Sequence, residues 1–455
     1  MAQEKIVNFL KTYGFIFPSS EIYGGLANAW DYGPLGILLK KNIKDLWWRT
    51  FIIKDSQAVG IDSSIIVNPN IWKASGHIGS FSDPLIECKN CHNRFRADKL
   101  IEENLSDVQI TEQTDFKILE GIIAKNQIKC PVCGKMSWTP IRHFNLMFKV
   151  NQGIVDDNTQ INYLRPETAQ GIFVNFANVQ RTMRLKLPFA IGQIGKSFRN
   201  EITPGNFIFR TREFEQMELE YFVYPKQADE IFTNQLDKIK KFLYETLELN
   251  KSNIRLREHD KKELSHYAKK TIDIEYSFPH GWKELWGIAN RTDYDLKSHI
   301  EHSKANLWYL DPSTSEKVIP YVIEPSVGVE RLLYAIIVDK YVVEELENNE
   351  TREVLHLPYK LAPYKIAILP LVNKLNAHAR NVFDVLIDNG IEAIYDTSGS
   401  IGKRYRRQDA IGTPFCVTYD FETDNDQRVT IRYRDSMKQE RVAIKDLKSF
   451  LDSHA

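Results

Sequence analysis

Phe198-Arg199-Asn200-Glu201 and Phe209-Arg210-Thr211-Arg212-Glu213-Phe214-Glu215-Gln216-Met217-Glu218 flank the turn-forming run Thr203-Pro204-Gly205-Asn206. Aromatics, arginines and carboxylates alternate along both halves. Side chains on a strand repeat every two residues, so two strands joined by a loop would gather part of this set on one sheet face. Such a hairpin suits a nucleotide: a guanidinium on phosphate, an aromatic ring on the base, a carboxylate on an amine or a metal. The same residues also suit an ordinary salt-bridged hairpin, and the stretch alone leaves both readings open.

The rest of the chain narrows the choice. Its 455 residues, 26% of them charged, are enough for two or three domains with their own cores. Lys+Arg and Asp+Glu both number 60. That balance excludes nucleic-acid binding driven by the overall field and leaves room only for a local basic patch. The first twenty residues mix charges with short apolar runs, unlike a signal peptide. No apolar run approaches the length of a membrane span. A cytoplasmic protein with no membrane partner is therefore expected.

Of the five cysteines, four form the pairs Cys88-x2-Cys91 and Cys130-x2-Cys133, and Cys416 stands alone. In a reducing compartment this pattern favours metal over disulfides. Four thiolates fill a tetrahedron, which suits structural Zn2+ and leaves no open position for catalysis. Free thiols are the alternative, and His92 is a weaker candidate ligand.

Apolar spacing predicts a turn over 30–36 and a helix over 37–51, then a strand over 62–67 stopped by Pro69. Within the Cys-bearing segment, residues 102–127 are polar and acidic and read as an excursion. Residues 144–223 read as strands and turns with one helix over 169–181. A helix is expected over 226–249, strands over 285–289 and 318–323, and a helix over 329–346. Beyond Leu361-Ala362-Pro363 the pattern becomes strand (365–371), helix (375–389), strand (391–395), a βαβ-type domain. There, Ser398-Gly399-Ser400-Ile401-Gly402-Lys403-Arg404-Tyr405-Arg406-Arg407 is the clearest basic patch, suited either to RNA backbone or to a solvated helix face.

Taken in order, these pieces resemble the three motifs of a class II aminoacyl-tRNA synthetase followed by an anticodon-binding domain. Among them the chain is most similar to the glycyl-tRNA synthetases of the dimeric, single-chain type. The likeness rests on Trp30–Gly36, Trp72-Lys73-Ala74-Ser75-Gly76-His77, Arg165-Pro166-Glu167-Thr168-Ala169-Gln170-Gly171, Glu284-Leu285-Trp286-Gly287-Ile288-Ala289-Asn290-Arg291-Thr292-Asp293-Tyr294-Asp295 and Glu324–Arg331. It spans nearly the whole chain. The resemblance implies an α+β fold: a class II catalytic domain on an antiparallel sheet, with a Cys-bearing insertion, and an α/β anticodon-binding domain. The implied divisions are 1–84 with the first motif, 85–140 for the insertion with its zinc ribbon, 141–358 with the second and third motifs, and 359–455 for the anticodon-binding domain.

The same resemblance implies ATP-dependent attachment of glycine to tRNA(Gly) through a glycyl-adenylate, with Mg2+ accompanying ATP. It also implies a homodimer, because the first motif is a dimer-interface element. By resemblance Arg199, Glu201 and Arg331 are catalytic, with Arg199 on the α-phosphate and Arg331 on the γ-phosphate. Phe214 stacks on adenine, and Glu284 is a candidate Mg2+ ligand. Asn200, Phe209, Arg210, Thr211, Arg212, Glu213, Leu285, Gly328, Val329 and Glu330 complete the implied ATP site.

The implied glycine site comprises Arg96, Glu167, Phe214, Glu215, Gln216, Met217, Glu218, Arg291, Glu324, Pro325, Ser326, Val327 and Gly328. Glu167, Glu218 and Glu324 form its acidic pocket. A pocket distinguishes one methylene by only about 1–3 kcal/mol. Selecting glycine therefore means gripping the ammonium group and excluding anything on Cα, where Ser326 would sit. Two other readings remain: a sister synthetase for threonine, proline or histidine, and a non-catalytic nucleic-acid-binding protein on the same scaffold.

Overall fold

Pro34 opens helix α1 (Pro34–Trp48) at a position where its missing N–H has no intrahelical partner to lose. Leu35, Leu39, Ile43 and Trp47 then give α1 one buried stripe. The computed structural model describes residues 2–105, 108, 110, 114–151, 161–260, 263–265, 267–346 and 350–454.

The stripe packs towards a seven-stranded sheet. Its strands are β1 (Ala58–Gly60), β2 (Phe189–Phe198), β3 (Glu213–Val223), β4 (Ile254–Glu258), β5 (Lys270–Phe278), β6 (Gly281–Thr292) and β7 (Tyr321–Gly328). Their order is β4-β5-β6-β7-β3-β2-β1. Neighbours run antiparallel except β1, which is parallel to β2.

The period of two divides β3 cleanly. Met217, Leu219, Tyr221 and Val223 enter the larger core. They meet helix α3 (Ala228–Lys241) and helix α5 (Val329–Lys340) there. Phe222 faces the opposite side, against helix α2 (Ala169–Met183) and helix α4 (Tyr294–Ser303). On that second face, Phe214, Gln216, Glu218 and Glu220 are left uncovered by apolar packing. The functional question therefore lies on that face.

Residues 82–87, 94–96 and 142–145 form a three-stranded sheet beside the main one. Helices Ala97–Asn104 and Phe116–Lys125 cover it around Ile86, Leu100, Ile101, Leu119, Ile123 and Ile141. The polar excursion expected over 102–127 is thus partly core, because Leu119 and Ile123 are buried. Residues 106–107, 109 and 111–113 of that expectation lie outside the described residues.

Three further expectations are corrected. Trp30–Tyr32 is a strand paired with Ile16–Pro18 rather than a turn. The strand expected over 62–67 lies earlier, at β1. Ile66 makes only an isolated bridge to Leu164, and the carbonyl of Ser63 is taken by Arg165. The helix expected to reach 346 stops at Lys340, where Tyr341-Val342-Val343 enters a strand, Tyr341–Glu345, paired with Thr351–Leu355.

The C-terminal unit is a five-stranded sheet of β8 (Ile366–Pro370), β9 (Ala393–Tyr395), β10 (Phe415–Tyr419), β11 (Arg428–Tyr433) and β12 (Gln439–Ala443), ordered β9-β8-β10-β11-β12. Helices α6 (Asn376–Asp388) and α7 (Ile401–Ile411) accompany it. Arg352 ties it to the preceding hairpin by bonds to Glu344, Asp409 and the carbonyl of Arg434. No helix among the described residues is long and apolar enough to cross a membrane.

Candidate active site

A cavity of about 270 Å³ opens on the uncovered face of β3, β6 and β7. The register pairs Gln216 with Gly328 and Glu218 with Ser326. Alternate residues of both strands therefore point into the same space.

One end is rich in guanidinium groups. Arg199, Arg210 and Arg331 line it together with Glu201, Glu284, Phe209 and Phe214. The Arg331 Nη1 lies 3.0 Å from a Glu284 oxygen, and its guanidinium sits 4.5 Å over the Phe209 ring. The Arg199 Nε donates to the carbonyl of Pro166 at 3.0 Å, with its guanidinium 5.4 Å from the Phe214 ring centre. Arg210 pairs with Glu201 at 3.1 Å. These cations answer one another through carboxylates that a polyanion could displace.

The other end is acidic and built around one buried cation. Arg291 grips Asp295 through two bonds of 2.7 and 2.9 Å and reaches Glu324 at 2.7 Å. Glu218 accepts from Ser326 at 2.9 Å and from Thr168. Glu167 lies 3.5 Å from the His77 Nε2 and accepts from Gln170 at 3.0 Å. Burial would raise the Glu167 carboxyl, but His77 and Arg291 pull it well below the usual range. Burial pushes Glu324 up to about 8 against the pull of Arg291, with Glu218 and Glu167 adding to the rise. Burial and the neighbouring Glu167 likewise raise Glu218. A pocket with this much acid and too few cations is poised for an incoming ammonium group.

Other residues expected here stand elsewhere. Met217, Leu285, Val327 and Val329 belong to the larger core, and Pro325 follows the same alternation. The Glu215 carboxylate points to the same side, onto Lys40 at 2.6 Å and Lys44 at 2.9 Å. Glu330 does line the cavity, but its carboxylate holds Lys40, at 2.8 Å, and accepts the Glu215 N–H. Glu213 is exposed and paired with Lys196. Arg96 is absorbed by Asp83 at 3.0 Å and Asp98 at 2.6 Å. The Arg212 Nε donates to the carbonyl of Glu201, and the Asn200 N–H to that of Leu146. For the residues of β3 and β7 among these, the alternation along the strand turns the side chains to the other face.

The cavity also takes in residues that the sequence reading left out of the site. His259 and Asp273 meet at 2.7 Å beside Glu284, and Tyr267 lies 4.0 Å from the Arg291 guanidinium. The alternation of Thr271 and Asp273 along β5 was the signal available for them.

Comparison with known proteins identifies the domains of the chain. Residues 148–341 match the tRNA synthetase class II core domain (G, H, P, S and T), residues 365–454 an anticodon binding domain, and residues 108–146 the glycyl-tRNA synthetase insertion domain 1. A glycine–tRNA ligase of Ureaplasma urealyticum is 57% identical, covering 100% of this chain and 96% of its own. One of Malacoplasma penetrans is 59% identical, covering 98% and 96%, and one of Geobacillus thermodenitrificans 56%, covering 99% and 97%.

The chain belongs to the glycine–tRNA ligase family.

In this member of the family two cysteines within the matched insertion residues and two before them form a metal-type cluster. Two matching turns present the cysteines. Cys88 N–H bonds to the Asn93 carbonyl and His92 N–H to the Cys88 carbonyl, while Cys130 and Gly134 do the same with Lys135 and Cys130. Cys88 and Cys133 sulfurs stand 3.6 Å apart, as do those of Cys91 and Cys130. Four thiolates at about 2.3 Å from one Zn2+ in a tetrahedron are about 3.8 Å apart, so the set fits the ion. Asn93, through its side chain and its N–H, lowers the Cys91 thiol to about 6. His92 is turned to Glu87 at 3.3 Å and stays outside the set.

The ligase's C-terminal basic patch is only partly a surface. Arg404 is buried and donates to the carbonyls of Pro370 and Gly399, and Arg407 pairs with Asp396 at 2.7 Å. The Tyr405 hydroxyl bonds to Thr418. Lys403 is exposed, and among the described residues Arg406 meets only a Glu350 oxygen, at 3.9 Å. Those two remain available to an RNA backbone.

Proposed function

We infer that this chain attaches glycine to tRNA(Gly) at the expense of ATP, in translation. The observation that carries this is one cavity with guanidinium groups at one end and buried carboxylates at the other, in a member of the glycine–tRNA ligase family. A carboxylate oxygen of glycine attacks the α-phosphorus of ATP, pyrophosphate leaves, and glycyl-adenylate forms. A hydroxyl of the tRNA's terminal ribose then attacks the glycyl carbonyl, and AMP leaves. The attacking carboxylate is already ionised at neutral pH, so the first step needs no activated Ser, Cys or His; in the second, the ribose hydroxyl's proton passes to the departing AMP phosphate. Positioning and charge neutralisation carry the reaction.

In this reading Arg199 answers the charge that develops on the α-phosphate, and Arg331 holds the γ-phosphate. Phe214 supports the adenine ring, with Glu201 beside Arg210 at the rim. Glu284 is the cavity carboxylate that would hold Mg2+, a hard ion that neutralises phosphate charge when bound. Glu218 and Glu324 receive the ammonium group, and Glu167 adds negative potential. Ser326 fills the space a larger amino acid would need. Its hydroxyl is fixed by Glu218.

The same reading makes the enzyme a cytoplasmic homodimer. Ile22, Tyr23 and Leu26, near the first motif, are 87%, 86% and 64% exposed, which supports a covered surface in the assembled form. The insertion's cysteines would hold one structural Zn2+. Charging purified tRNA with labelled glycine tests the function: acid-precipitable label that depends on ATP is expected, and none would contradict it.

A further inference from the structure

Glu220 lies two residues beyond Glu218 on the same face of β3 and is fully buried. Neither of its carboxyl oxygens has a hydrogen-bond partner among the described residues. A buried carboxyl without partners is costly.

Its surroundings explain it. The register that pairs Glu218 with Ser326 and Tyr221 with Ile323 sets Glu220 opposite Glu324. One oxygen from each of Glu218, Glu220 and Glu324 lies within 4.8 Å of the other two. An ammonium group donating along tetrahedral directions to three oxygens at about 2.8 Å holds them about 4.6 Å apart. Glu218 is fixed from behind by Thr168 and Ser326, and Glu324 by Arg291. Two acceptors are thus held in place, and the third has its full capacity free.

We propose that Glu220, which lies behind the cavity wall formed by Glu218 and Glu324, is the third acceptor for the ammonium group of the amino acid, completing a socket with those two carboxyls. The proposal rests on the reading of glycine as the substrate. The ionisable groups facing Glu220 are Glu218 on β3, Glu324 on β7, Arg291 on β6 and Asp295 on α4, while β2 presents Ile191 opposite it. Burial first, then Glu324 and Glu218, raise its pKa well above the ordinary carboxyl value and so favour its protonated form. An ammonium group between the three carboxyls opposes that shift in Glu220 and Glu324 alike and favours loss of protons to solvent as the substrate enters. A socket that needs three donors from one nitrogen also rejects N-substituted amino acids.

The test uses the full chain. Wild type and Glu220→Gln are compared in pyrophosphate exchange with glycine and ATP titrated separately. Glycine binding is followed by calorimetry in two buffers of different ionisation enthalpy. Proton release by the wild type at neutral pH is expected, with Glu324 contributing as well as Glu220. Glu220→Gln should raise the glycine KM roughly 10- to 100-fold, leave the ATP KM and the melting temperature in place, and release fewer protons than the wild type. Unchanged glycine KM and proton count in a folded Glu220→Gln would overturn the proposal alone. No glycine-dependent exchange by the wild type would overturn the substrate reading with it. Proton release on adding KCl or MgCl2 without glycine would also overturn it, as a general cation site. Should Glu220→Gln not fold, Glu220→Asp takes its place: a raised glycine KM with an unchanged ATP KM supports the socket, and unchanged kinetics refute it.

Discussion

Arg331 and Glu284 hold each other at 3.0 Å inside the cavity where a triphosphate would need both. Glu284 is about half exposed and Arg331 a quarter exposed. A pair this open is worth little, so it can part for a stronger ligand. Arg331→Ala should raise the ATP KM and slow pyrophosphate exchange about 100-fold, with the glycine KM nearly unchanged. Equal losses for both substrates would place Arg331 elsewhere in the mechanism.

Glu324 makes two outcomes testable together. Glu324→Gln should raise the glycine KM strongly with little change for ATP. The second outcome concerns stability. In the folded chain this carboxyl is raised from 4.5 to about 8. The folded state therefore keeps a proton that the unfolded chain has lost above about pH 4.5. Its contribution is fully present on the acid side and declines as pH rises towards 8. A melting series from pH 5 to 9 should show part of that decline missing in Glu324→Gln. Parallel curves for variant and wild type would contradict it.

Lys40 links α1 to β3 and α5 by pairing with both Glu215 and Glu330. All three side chains are largely buried. Removing the cation strands the buried Glu330 carboxylate and leaves Glu215 with Lys44 alone, so Lys40→Ala should cost about 3–5 kcal/mol in urea unfolding. A loss under about 1 kcal/mol would mean that water reaches the cluster.

Zinc analysis of untagged protein should find about one ion per chain. Cys130→Ser should lose it and loosen the insertion around Leu119 and Ile123, seen as protease cleavage within 82–145. Wild-type protein without zinc would reject the site.

The sequence and the structure agree where local pattern alone decides. The helix of α2, the β3 strand and the βαβ start at 365 follow from apolar spacing and turn residues. The motif order was enough to bring Glu167, Glu218, Arg291 and Glu324 together. It could not say which face each residue takes, because that depends on where β3 enters its alternation. Glu215 was thus grouped with the pocket although it faces Lys40, and Glu220 was passed over although it lies beside Glu218 and Glu324. Arg404 shows the same limit: a basic run reads as surface, and only the fold reveals that its guanidinium holds the Pro370 carbonyl.

The central claim is that this one cavity activates glycine. ATP–pyrophosphate exchange with each amino acid in turn tests it most directly. Exchange with glycine alone, abolished by Arg199→Ala, is the result predicted. Exchange driven by threonine, proline or histidine, or no exchange with any amino acid, would contradict the account.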